Sequence, residues 1–131
     1  MFSLDLATLI LFGWLLHWFA DWYLQNDWMA CHKASRRKLH AEYPTAWWDR
    51  HPAAYVHAGI HTVIQLLIFP WWAALIIGFL HLIIDCRWIL DRWGQLMHQT
   101  NEGPIAIHIS IWRDQIAHLM VIALVAVMMY A

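Results

Sequence analysis

Four apolar runs divide the chain: about Phe2 to Leu24, Ala53 to Phe69, Trp71 to Leu90 and Ile105 to Tyr130. At roughly 1.5 Å of rise per helical residue, runs of this length match a hydrocarbon core about 30 Å thick. The pattern predicts an all-α fold, an integral membrane four-helix bundle, with residues 1–131 forming a single transmembrane domain and spans at about 2–24, 53–69, 71–90 and 105–130. Pro52 suits the first turn of the second helix, and Pro70 separates the second run from the third closely enough to demand a tight antiparallel hairpin. Asn101-Glu102-Gly103-Pro104 reads as the turn before the fourth. The connection from Gln25 to Pro52 is polar but carries Trp28, Trp47 and Trp48, which predicts one or two short interfacial helices in the first cytoplasmic loop.

Composition agrees with a bilayer as solvent. The chain is 62% hydrophobic and 13% charged, where a soluble domain carries roughly 25% charged residues. Its eleven tryptophans suit anchoring at the headgroup level. No Lys or Arg precedes Lys33, and His17 and Asp21 interrupt the first run, so a removable leader is not expected. All eight basic residues (Lys33, Arg36, Arg37, Lys38, Arg50, Arg87, Arg92 and Arg113) lie in or beside the segments joining runs one to two and three to four. The positive-inside rule then puts those segments in the cytoplasm and both termini outside. Net charge is −1 and no nucleic-acid motif is present, so nucleic acid is not an expected partner. The bilayer is, together with a lipid substrate and a membrane complex or homo-oligomer. Cys31 and Cys86 lack metal or redox spacing and read as reduced bystanders.

Each run holds one pair of metal-type side chains four residues apart: His17 and Asp21, His57 and His61, His81 and Asp85, Asp114 and His118. Residues i and i+4 share a helix face. Random scatter of ten histidines and seven aspartates gives about two such pairs, so the signal is their even distribution. Alternating chain direction brings all four pairs to one level near the cytoplasmic side. Asp21, His57, Asp85 and Asp114 form the outer layer there; His17, His61, His81 and His118 form the deeper one. Each ionisable group inside a span costs about 2.5 kcal/mol or more unless paired, hydrated or bound to a cation, so eight together point to one or two metal ions.

Imidazole and carboxylate suit zinc, with iron or manganese as alternatives. All eight residues are candidate ligands, and Asp21, Asp85 and Asp114 are candidate catalytic groups, one of them a general base. Two facing imidazoles also admit haem, though neighbouring aspartates make that setting unusual. The bland alternative is an interhelical hydrogen-bond clamp. Gln25 and Gln115 are readable as hydrogen-bonding supports, Asp91 and Arg92 as a solvated helix end. His32, His40, His51, His98 and His108 read as interfacial residues, and Lys33, Arg36, Arg37 and Lys38 as orientation signals.

The stretch from His17 through Asp21 and Trp22 to Gln25, then Asp27-Trp28-Met29-Ala30 and Lys33, resembles the signature of domain of unknown function family 3307, small bacterial and phage multi-pass membrane proteins. His57, the segment His81 to Asp85, and Asp114-Gln115 to His118 follow in the family's order. Arg87 stands where that pattern leads one to expect lysine, and His61 lies outside its clearest part. The resemblance covers nearly the whole chain and assigns no activity. It is similar in size and intramembrane histidines to membrane-bound metal-dependent hydrolases, which implies hydrolysis of a lipid or lipid-linked substrate. A di-iron redox protein and a non-catalytic accessory subunit remain as alternatives.

Overall fold

The computed structural model describes residues 4–34, 50–100 and 102–131. These residues are predominantly helical, in agreement with the all-α expectation. Helix α1 (Leu6–Trp18) starts where the Asp5 carboxylate accepts the Thr8 amide at 3.0 Å and the Thr8 hydroxyl at 2.7 Å, a cap for an otherwise apolar run. It passes directly into a π-helical turn, Phe19–Tyr23. Asn26 caps α2 (Asp27–His32) by accepting the Met29 amide at 2.9 Å. Pro52 opens α3 (Pro52–Gln65). Beyond Gln65 the chain keeps winding, with the Leu66 and Phe69 amides bonded to the Thr62 and Gln65 carbonyls at 3.2 and 2.9 Å. Pro70 then turns it into α4 (Trp71–Ile84), followed by α5 (Trp88–Leu96) and α6 (Pro104–Tyr130).

The four longest helices close a ring: α1 packs on α3, α3 on α4, α4 on α6 and α6 on α1. Leu9, Phe69, Ala73, Ala74, Ile77, Ile122, Val125 and Ala126 form the apolar core. Close helix approach explains the small residues. A methyl group on Gly78 would lie 1.8 Å from Thr62 Oγ1 on α3, and one on Gly13 would lie 2.6 Å from Ile122 Cγ2 on α6. Two polar ties reinforce the ring: Gln65 Nε2 donates to the Gly13 carbonyl at 2.9 Å, and Trp14 Nε1 to the Leu119 carbonyl at 3.0 Å.

Several spans differ from expectation. The third run does not make one helix to Leu90, because α4 ends at Ile84 and Arg87 adopts a left-handed backbone (φ 61°) that redirects the chain. Helices α4 and α5 are bent by 62° at this break. Among the described residues only α6 is by itself long and apolar enough to cross a membrane, and α4 with α5 qualify only as a bent pair. Helix α2 forms within the connection expected to hold short helices. Arg36, Arg37, Lys38, His40, Trp47 and Trp48 lie outside the described residues.

Candidate metal centre

Every polar pair comes from a different wall of the ring. His17 is on α1 and Asp21 in the π-helical turn; His57 and His61 are on α3; His81 is on α4 with Asp85 as its C-cap; Asp114 and His118 are on α6. None of the eight is more than 5% exposed. π-turns inside helices often occur at functional sites, and this one carries Asp21.

The side chains meet in two layers. His17, His61, His81 and His118 cluster ring against ring: His61 and His81 stack at 3.6 Å between centroids, His81 and His118 lie at 4.1 Å, and His17 is 4.9 to 5.4 Å from the other three. Below them, His57 Nε2 is 3.0 Å from Asp21 Oδ1 and 3.6 Å from Asp85 Oδ2. The layers are joined by His17 and His61 to Asp21 (3.4 and 3.3 Å), and by His81 and His118 to Asp85 (3.3 and 3.7 Å). Asp114 stands aside, its Oδ2 3.8 Å from His118 Nδ1.

This arrangement is short of positive charge. His118 Nδ1 donates to the Asp114 carbonyl at 3.0 Å, which leaves Nε2 as a bare lone pair facing the Asp85 carboxylate. Two electron-rich atoms in that position call for a cation or an added proton between them. The Nε2 atoms of His17, His61 and His81 and Oδ2 of Asp85 are likewise buried without a hydrogen-bond partner, where such groups are normally satisfied. Two sets of donors are close enough to share an ion: Asp21, His57, His61 and His81, and His81, Asp85 and His118. These residues therefore fit a metal ion. His17 and Asp114 fall outside both sets, and His81 belongs to both.

Several contributors were not legible beforehand. Lys33, expected to be an orientation signal, places Nζ 3.2 Å from Asp21 Oδ1, 3.1 Å from His57 Nε2 and 3.8 Å from Asp85 Oδ1. Burial opposes its charge, but the carboxylates of Asp85, Asp21 and Asp114 outweigh that and hold the ammonium above its ordinary pKa. Arg50 is buried beneath it, donating to the Leu82 carbonyl at 3.2 Å and contacting the Lys33 carbonyl and Cys86 Sγ. Cys86 is thus a buried partner of an arginine; both described cysteines are free. Gln115 Nε2 donates to Asp21 Oδ2 at 2.7 Å, the supporting role its position beside Asp114 had suggested. Asp91, its side chain 40% exposed in the first turn of α5, also pairs with Arg113 at 3.2 Å, so this solvated helix end makes a tertiary contact, while Arg92 lies over the Trp88 ring. His32 and His51 stack on each other away from the centre.

Fold and site together define an all-helical protein with a buried His/Asp centre able to hold a metal ion. The chain belongs to the family described as protein of unknown function, DUF3307, whose model matches residues 8–131. No curated protein and no solved structure matches it.

Proposed function

We propose that this chain is a membrane-embedded, metal-dependent hydrolase acting on a lipid or lipid-linked substrate at the cytoplasmic leaflet. The observation that carries the reading is the convergence of unpartnered imidazole nitrogens with carboxylate oxygens inside the bundle. A bound zinc ion would supply Lewis acidity, lowering the pKa of a water molecule and polarising a phosphoryl or acyl oxygen. His81 would hold it either with Asp85 and His118 or with Asp21, His57 and His61, and His17 and Asp114 stand around these sets. Gln115 fixes the Asp21 carboxylate, and the Asp114 carbonyl fixes the ring of His118. Asp114, whose Oδ1 lacks a hydrogen-bond partner, would accept the proton.

An inverted distribution of side chains supports the multi-pass membrane assignment. A cluster of polar residues is buried beside the apolar core, whereas Trp22, Tyr23, Val63, Leu67, Trp71 and Met128 are each about two-thirds exposed or more. Helix α1 with its π-turn, α3 wound on to Phe69, bent α4–α5 and α6 would be the four spans. Charge asymmetry supports basic connections on the cytoplasmic side. A lipid substrate is supported by a groove of about 550 Å³, walled by Trp18, Phe19, Trp22, Tyr23, Ile111 and Trp112, which reaches Gln115. That glutamine touches Asp21, so an apolar chain in the groove lies one side chain from the centre.

Elemental analysis of detergent-purified protein tests the reading. Near-stoichiometric zinc is expected in protein never exposed to chelator, and no stoichiometric metal there would sink it. Iron with a visible absorption band would favour the di-iron alternative. Asp→Asn replacement of Asp21, Asp85 and Asp114 that spares biological function would favour an accessory subunit.

A further inference from the structure

Four orphaned imidazole nitrogens gather on one side of the centre, and a lysine ammonium answers the carboxylate side. The atoms that Lys33 Nζ approaches, Asp21 Oδ1, His57 Nε2 and Asp85 Oδ1, lie 3.1 to 3.8 Å from it. Nε2 of His17, His61, His81 and His118 and Oδ2 of Asp85 lack a hydrogen-bond partner on the imidazole side, while His57 Nδ1 and Asp114 Oδ1 lack one outside it. Lys33 does not reach this position by chance of an extended side chain. Its amide bonds the Met29 carbonyl at 2.8 Å as the C-cap of α2, and its carbonyl is held by Arg50, which is itself tied to the end of α4 through the Leu82 carbonyl. Only 13% of its side chain is exposed.

We propose that the Lys33 ammonium is a built-in second cation, so that the centre takes one divalent ion on its imidazole side and not two. The inference rests on the metal-centre reading above and deepens it. A second ion in the carboxylate layer would need the same oxygens and the same imidazole nitrogen that the ammonium contacts. Two cations about 4 Å apart in a poorly screened interior repel strongly. The ammonium therefore neutralises the Asp21 and Asp85 edges that no metal covers. It also leaves a positive hydrogen-bond donor beside the ion, on the side from which α2 closes the bundle.

Metal titration of chelator-stripped protein in detergent tests this. Wild type and Lys33→Arg should each bind one zinc per chain, and Lys33→Met should bind two. Two zinc ions in wild type, or one with unchanged affinity in Lys33→Met, would overturn the proposal while leaving a metal centre intact. Thermal melting supplies a second readout should Lys33→Met fold poorly. Stripped Lys33→Met should melt below stripped wild type and recover with zinc; equal melting of the two stripped proteins would also overturn it. If no variant takes up metal, the hydrolase reading and this proposal fall together, whereas two zinc ions in wild type overturn this proposal alone.

Discussion

The two halves of the helical ring are built on opposite rules. Around Leu9, Phe69, Ala73, Ala74, Ile77, Ile122, Val125 and Ala126 the helices meet through small and apolar residues. Around His17, His61, His81 and His118 the same helices meet through imidazole rings whose Nε2 atoms are buried without a hydrogen bond. Packing of the first kind gains dispersion contacts at every close approach; burial of the second kind is unfavourable unless a cation is supplied. The difference teaches that α1, α3, α4 and α6 are aligned by their apolar half, and that the histidine half is held in place against its own electrostatics. Such a strained polar cluster on a well-packed frame is what a pre-organised ion site requires.

Replacing His81 should have the largest effect, since it belongs to both donor sets and its ring touches His17, His57, His61 and His118. His81→Ala is expected to lower metal affinity by about 100-fold or more, with helical content by circular dichroism retained because the apolar half is untouched. Unchanged metal content would show that the two halves are not functionally distinct. Gln115→Leu is milder. It removes the 2.7 Å hydrogen bond to Asp21 without removing any candidate ligand, and a loss of about 10- to 100-fold in affinity is expected. Affinity equal to wild type would mean that the amide does not orient the carboxylate.

What the linear sequence discloses follows the same division. The i, i+4 pairs are visible because a helix repeats them on one face, and all eight residues are buried at the meeting of the four helices. Helix α6 is visible because Gly103 and Pro104 mark its start and no breaker follows. The end of α4 is not, since hydrophobic residues continue through Trp88, Ile89 and Leu90 while the chain turns on a left-handed Arg87 that no pattern announces. Nor is the π-turn at Asp21 marked by composition. Lys33 and Arg50 escape for another reason. Both are basic residues of a connecting segment, where a topology signal and a buried counter-ion look alike until the tertiary contacts are known.

The frame can be disturbed without removing any donor, and Gly78→Ala on the α3–α4 seam is the sharpest way to do so. The added methyl would meet Thr62 Oγ1 at 1.8 Å, Thr62 Cβ at 3.1 Å and the Ala58 carbonyl at 3.2 Å. Rotating the threonine does not relieve all three, because its hydroxyl already donates to that same carbonyl at 3.0 Å and the backbone oxygen stays in place. Helices α3 and α4 must separate slightly, at an overpacking cost of about 1–3 kcal/mol. Unfolding in detergent should register that loss, while metal stoichiometry stays at the wild-type value because neither Thr62 nor Ala58 contributes a donor to the centre. Loss of metal at unchanged stability would reverse the assignment of roles, making the α3–α4 approach a determinant of the site and not of the frame.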